Sequence, residues 1–218
     1  MADGVARSTT CRLAPQILLA TTNAGKVREI RAVLGDLGWE LKAQSEFADI
    51  PNVEEDGATY AVNAFKKAMA LASRIGCPAL GDDSGLEVDA LSGAPGLYSA
   101  RFAGPRATDG ENRRLLLERL NGVPAAHRGA RFRCVIALVS PKGGARVVEG
   151  VIEGRIAERE TGVGGFGYDP IFEVPDRGVT FAELPPDENN PISHRGRALA
   201  LVRAMLIAEP AWWQPARE

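Results

Sequence analysis

Residues 130–157 constrain this chain more than any other stretch. Ala130 to Ser140 has strong β character, Pro141-Lys142-Gly143-Gly144 is a turn signal, and Ala145 to Ala157 resumes with apolar and polar residues alternating. Two strands joined by so short a turn pair as an antiparallel hairpin. Upstream of them, segments of strand and helix pattern are interleaved, the order found in α/β proteins. A chain that carries both signals folds around a mixed central sheet with flanking helices.

The upstream elements can be placed from periodicity. Gln16 to Ala20 reads as a buried strand, and Lys26 to Leu37 as a helix with Val27, Ile30, Leu34 and Leu37 on one face. Trp39 to Ala43 is a second strand. From Ala58 to Ile75, Tyr60, Ala64, Ala68, Leu71 and Ile75 recur at helical spacing until Gly76 and Pro78 stop the helix. A short strand, Ala79 to Gly81, then delivers Asp82 and Asp83 at its end. Leu86 to Leu91 reads as a strand, and Asp109 to Leu120 and Arg195 to Ala208 as helices. With no internal repeat, low-complexity tract or long linker, residues 16–208 are expected to form one domain between loose tails at 1–15 and 209–218.

Composition narrows the partners. Among 218 residues the formal net charge is -2, which supplies no field for a long polyanion, so a nucleic-acid polymer is a poor partner while a small phosphate ligand is not excluded. Cys11, Cys77 and Cys134 are odd in number, widely spaced and without a CxxC pair, so neither a disulfide framework nor a zinc knuckle is expected and a reducing, cytoplasmic setting fits. No apolar run approaches the ~20 residues of a membrane helix, and the first fifteen residues lack the apolar core of a signal peptide.

Four loops carry the chemistry. Thr21-Thr22-Asn23-Ala24-Gly25-Lys26 lies where a strand ends and a helix begins, so unpaired amides and a helix dipole there favour an anion. Asn23 caps the helix or bonds phosphate, Gly25 lets the backbone approach, and Lys26 offers a point charge. Glu54-Glu55-Asp56 and Asp82-Asp83 are hard oxygen donors of the kind Mg²⁺ takes, one or two at a time, beside water and phosphate oxygens. If the strand still runs at Asp82, only one of the two aspartates faces the site. Lys67 follows on the next helix, facing a phosphate or water. In Gly164-Gly165-Phe166-Gly167-Tyr168-Asp169-Pro170, glycines on both sides of the ring free Phe166 to act as a stacking platform. Ser193-His194-Arg195-Gly196 opens the last helix with an arginine set against the dipole, which suits a ligand contact.

Taken together, these motifs, with Glu55-Asp56-Gly57-Ala58-Thr59 and Asn63-Ala64, Asp82-Asp83-Ser84-Gly85-Leu86 and Pro95-Gly96-Leu97-Tyr98-Ser99-Ala100-Arg101, resemble the inosine triphosphate pyrophosphatase family in order from about Ile17 to about Leu206. The resemblance implies an elongated mixed α/β fold of two lobes with a cleft between them, a homodimer, and Mg²⁺-dependent hydrolysis of ITP, dITP, XTP or dXTP to the monophosphate and pyrophosphate. By motif position, Asp83 is similar to the family's catalytic carboxylate, Glu55 to its metal-site glutamate, and Lys26 and Lys67 to its phosphate lysines. Ser84, Phe166, Gly167, Tyr168, Asp169, His194 and Arg195 are similar to its substrate contacts. Where the family commonly has a lysine before Ser193-His194-Arg195, this chain has Asn189, which keeps an amide donor but no charge.

The chemistry agrees with that likeness. In-line attack of water at the α-phosphorus needs a carboxylate to orient or deprotonate it, a role expected of Asp83, while Lys26 and Lys67 offset substrate charge. A donor such as Arg195 or His194 opposite the 6-oxo group of hypoxanthine would meet adenine donor to donor. A nucleotide-binding sensor that hydrolyses nothing, and an enzyme that clears another modified nucleotide, stay open as alternatives.

Overall fold

The computed structural model describes residues 15–47, 50 and 53–213, the side chains of 211 and 212 excepted. Positions 1–14 and 214–218, which make up most of the two expected tails, lie outside the described residues, as does the side chain of Trp212.

Six strands form one sheet in the order β2-β1-β3-β4-β5-β6. They are β1 (Gln16–Leu19), β2 (Glu40–Ala43), β3 (Ala79–Val88), β4 (Gly129–Val139), β5 (Ala145–Ile156) and β6 (Phe172–Glu173). β1 pairs in parallel with β2 and β3, while β3, β4, β5 and β6 are antiparallel to their neighbours, so the sheet is mixed as expected. The helices are α1 (Ala24–Leu34), α2 (Tyr60–Ile75), α3 (Asp109–Arg119), α4 (Pro186–Ile192), α5 (His194–Ala208) and α6 (Pro210–Trp213).

The apolar periodicity decides the layers. Val27, Ile30 and Leu34 of α1 and Leu199, Val202 and Leu206 of α5 bury against Ile17, Leu19, Leu80 and Ile136 on one sheet face. Ala64, Ala68 and Leu71 of α2 bury against Leu18, Ala79 and Val139 on the other. The far halves of β3 to β5 extend beyond these helices and carry their own core of Leu86, Phe132, Ile152, Phe172 and Phe181. β1 meets β3 only at Ala79 and Leu80, and β4 accompanies β3 along its whole length. A crevice therefore opens where β1 stops, beside Asp82 and Asp83.

Several boundaries differ from the sequence reading. β3 does not end at Gly81 but runs through Asp82-Asp83-Ser84-Gly85 to Val88, because β4 offers a ladder partner at every position. That merges two expected strands into one, with Asp89–Leu91 as a 3-10 turn. α1 begins at Ala24 and stops at Leu34. Ordered structure continues past 208 into α6, whose Trp213 is wholly buried among the α1 and α5 core residues. Cys77 is buried and disulfide-bonded, contrary to expectation. Wide spacing in sequence does not by itself bar pairing, so cysteine spacing no longer argues for a reducing compartment. Cys134 is a free, buried thiol.

Candidate active site

A cleft of about 680 Å³ opens beside β3. Thr21, Thr22, Asn23, Lys26, Glu55, Lys67, Asp83, Ser84, Phe166, Gly167, Tyr168, Asp169, Asn189, His194 and Arg195 all line it, so four loops far apart in sequence converge. Of the expected site residues only Ala24 and Gly25 stand off its wall. Gly25 lets the aromatic loop pack close: a Cβ there would sit 3.0 Å from Phe166 Cδ1.

One end of the cleft is charged. Glu55 reaches it from the loop before α2, Lys67 from α2 and Asp83 from β3. Lys67 Nζ donates to Glu55 Oε1 at 2.6 Å and lies 3.5 Å from Asp83 Oδ1, so two carboxylates converge on one cation. Asn63 Nδ2 donates to Asp83 Oδ2 at 3.0 Å, and Arg101 Nη2 donates to the Glu55 carbonyl at 3.1 Å. Burial pushes Asp83 above the usual aspartate range, against the pull of Lys67 and Asn63. Glu55 suffers burial too, but Lys67, Lys26 and Arg101 together bring it below its ordinary value. Its neighbours Glu54 and Asp56 are exposed, and Asp56 pairs with Lys66 on the outside of α2. Among the described residues no cluster of three or more His, Cys, Asp or Glu forms a metal cage. Mg²⁺ needs only one or two protein carboxylates, and the convergence of Glu55 and Asp83 on a cation meets that requirement.

Strand parity puts Asp82 on the opposite face of β3 from Asp83. Asp82 is no turn residue. It is wholly buried, accepts from Arg195 Nε at 2.7 Å and Cys134 Sγ at 3.2 Å, and pairs closely with Lys26. The two cations overcome burial and hold its carboxyl well below the usual range. Lys26 is thus tethered at the cleft edge. Asn23 Oδ1 accepts from the amides of Gly25 at 2.8 Å and Lys26 at 3.2 Å, so those two amides are capped rather than free for an anion.

The other end is aromatic. Phe166 faces the cleft with the Arg195 guanidinium 5.6 Å from its ring centre. Arg195 is held on three sides: besides Asp82 it donates to Glu29 Oε2 at 2.7 Å and Ser84 Oγ at 2.9 Å. These three bonds fix the wall, and two of the five guanidinium N–H groups remain beyond them. His194 stacks on Phe132 with ring centres 4.7 Å apart, and its Nδ1 is buried without a hydrogen-bond partner among the described residues. Burial, with Arg195 adjacent, holds His194 well below its ordinary value, so its ring is neutral. Asp169 Oδ2 accepts from the Phe166 amide at 2.9 Å, and Tyr168 Oη donates to the Ser99 carbonyl at 2.9 Å.

Sequence reasoning passed over Glu29, Asn63 and Asp109 as site residues. Glu29 follows Lys26 by one helical turn on the same face, which was its only signal. Asn63 stands in one of the motifs that carry the family resemblance, though no role was assigned to it, and Asp109, whose partner Gly167 is distant in sequence, carried no signal.

The described helices include none long and apolar enough to cross a membrane. The sequence model of the Ham1 family matches residues 17–205. A dITP/XTP pyrophosphatase of Geobacter sulfurreducens is 51% identical over 188 residues, covering 86% of this chain and 94% of that protein. One from Desulforamulus reducens is 54% identical over 184 residues, covering 84% and 92%. The solved structure of a HAM1 protein from Coxiella burnetii superposes with a TM-score of 0.82 at 44% identity, covering 89% of this chain and 99% of that one. The likeness thus spans nearly all of the sheet and every wall of the cleft, and the chain belongs to the Ham1 family.

Proposed function

We propose that this protein is a nucleoside triphosphate pyrophosphatase that hydrolyses non-standard purine nucleotides, ITP, dITP, XTP and dXTP, to the monophosphate and pyrophosphate. The observation that carries this is the convergence of Glu55 and Asp83 on one cation, Lys67, in a cleft whose other end holds an aromatic ring. The relatives' names supply the substrate class, and the cleft supplies groups suited to each part of such a molecule.

In this reading Phe166 stacks on the base, and His194 Nδ1, a buried polar atom with no hydrogen-bond partner among the described residues, meets its edge. A neutral imidazole donating there satisfies a 6-oxo group and opposes the amino group of adenine. Lys26 and Lys67 offset phosphate charge. Glu55 and Asp83 are the residues that would hold Mg²⁺, which supplies charge neutralisation on the phosphate oxygens. Asp83 orients the attacking water and takes its proton as the oxygen bonds to the α-phosphorus. The bond to the bridging oxygen breaks, and pyrophosphate leaves. Burial makes Asp83 a better proton acceptor than an exposed aspartate. Asn189 lines the cleft and contributes an uncharged amide. We extend the reading to a cytoplasmic homodimer, on the family likeness.

Purified protein with Mg²⁺ should release pyrophosphate from ITP, dITP and XTP far faster than from ATP, GTP or dUTP. Orthophosphate as the first product, or nucleotide binding without turnover, overturns it.

A further inference from the structure

The loop that carries Phe166 is anchored at its flanks, the Gly164 amide donating to the Ala182 carbonyl at 2.9 Å and Tyr168 Oη to the Ser99 carbonyl at 2.9 Å, and at Gly167, beside the ring, by one helix. Around the ring its own bonds are local: the Phe166 amide donates to Asp169 Oδ2, and the Asp169 amide to the Phe166 carbonyl at 3.2 Å. Between them Gly167 takes a left-handed conformation, φ +60°, that turns both of its main-chain polar groups away from the loop. Both groups meet α3. The Gly167 amide donates to Asp109 Oδ2 at 2.8 Å, and Arg113 Nη1 donates to the Gly167 carbonyl at 2.7 Å.

Asp109 and Arg113 lie one turn apart on the same face of α3, an acceptor and a donor spaced to grip one residue's N–H and C=O. The helix is itself held. Thr108 and Glu111 close a capping box at its start. Asn112 accepts from the Ala103 amide at 2.8 Å and donates to the Ala100 carbonyl at 3.2 Å, while Arg113 Nε meets Glu160 at 3.0 Å. A rigid helix with two charged ends on one glycine fixes where the neighbouring ring sits.

We infer that Asp109 and Arg113 are positioning residues that hold Phe166 at the stacking distance for a purine base by clamping the main chain of Gly167. Neither touches the reacting phosphate, and neither takes part in proton transfer. The inference rests on Phe166 being the base platform. Its signature is a loss of substrate affinity that disappears when the ring is already gone.

A double-mutant cycle on the Mg²⁺-loaded enzyme with ITP reads this directly. Phe166→Ala alone should raise KM about tenfold or more, as for a lost base–aromatic stack. Asp109→Ala should raise KM about tenfold with kcat within about twofold, and Arg113→Ala likewise, as for a lost charge-assisted hydrogen bond. Asp109→Asn, which keeps an accepting oxygen, should restore most of that loss. In the Phe166→Ala background Asp109→Ala should add less than about twofold. If Asp109→Ala and Arg113→Ala leave KM unchanged, or their losses persist in full without the ring, the clamp is refuted while the platform stands. If Phe166→Ala alone leaves KM unmoved, the platform reading fails and the clamp with it.

Discussion

Asp82 and Asp83 are adjacent on β3, yet the sheet sends them to opposite faces and into opposite electrostatic circumstances. Asp82 enters a sealed layer beneath α1 and α5, where Arg195 and Lys26 hold it ionised. Asp83 enters the cleft beside α2, where burial raises its proton affinity and Lys67 and Asn63 only partly compensate. Burial acts on both in the same sense, and the arrangement of cations decides the outcome. An acid locked to two cations is a structural pivot. An acid left under-compensated at a cleft wall can accept a proton and meet a further cation. The comparison teaches that the alternation of a strand is enough to separate the two roles within two residues.

Substitution of each aspartate tests that division, and the larger effect belongs to Asp83. Asp83→Asn keeps the shape and an acceptor for Asn63 but removes the base. Turnover of ITP at saturating Mg²⁺ should fall about 10²–10⁴-fold, with the melting curve little changed. Turnover near that of the parent would break the comparison at its functional side.

Asp82→Ala should instead act on stability. It takes the buried carboxylate from both Arg195 and Lys26, and because Arg195 keeps its pair with Glu29 the loss should fall at or below the about 3–5 kcal/mol of a broken buried ion pair, measurable by urea unfolding. The pH dependence has a definite sign. Because the folded-state carboxyl is held below 3.8, its contribution is complete above the unfolded value and is lost as pH falls through the depressed folded value. The gap between parent and variant should therefore be flat at neutral pH and close only in strong acid. A gap that closes near neutrality would show that Asp82 is not the pivot.

The sequence was informative where function depends on residues that lie close together along the chain. Thr21 to Lys26, Phe166 to Asp169 and Ser193 to Arg195 each occupy one loop or helix entry, and each faces the cleft except Ala24 and Gly25. Parity also foretold that only one of the two aspartates would face the site. What it could not supply was the partner of each charge. Asp82 meets Arg195 across 113 positions and Lys26 across 56, separations on which local periodicity is silent. The same limit hid the engagement of Arg195, which donates to Asp82, Glu29 and Ser84 inside the protein. β3 was cut short because Gly81-Asp82-Asp83-Ser84-Gly85 has weak β propensity, and pairing with β4 along the whole stretch overrode it. Trp213 falls in the expected tail, where sequence leaves open whether it packs on a partner or on its own lobe, and it is buried in its own core with residues of α1 and α5.

A third acid grades the comparison more finely. Asp169, on the aromatic wall, has one amide from Phe166 and a more distant Arg195, with Glu29 and Asp109 adding like charge, and burial dominates to raise it to about 7. It stands beyond Asp83 in the direction away from Asp82. A carboxyl raised in the folded state makes the fold bind the proton more tightly than the unfolded chain does. Its cost is thus absent below the unfolded value, grows as pH rises and is complete above about 7. Asp169→Asn removes the charge while leaving an oxygen for the Phe166 amide. In thermal unfolding the variant should match the parent near pH ~4, and its advantage should widen to a few degrees above neutrality. An advantage of the same size at every pH would mean that Asp169 is ionised throughout, in which case burial alone does not separate the cleft acids and the cations facing Asp169 set its state.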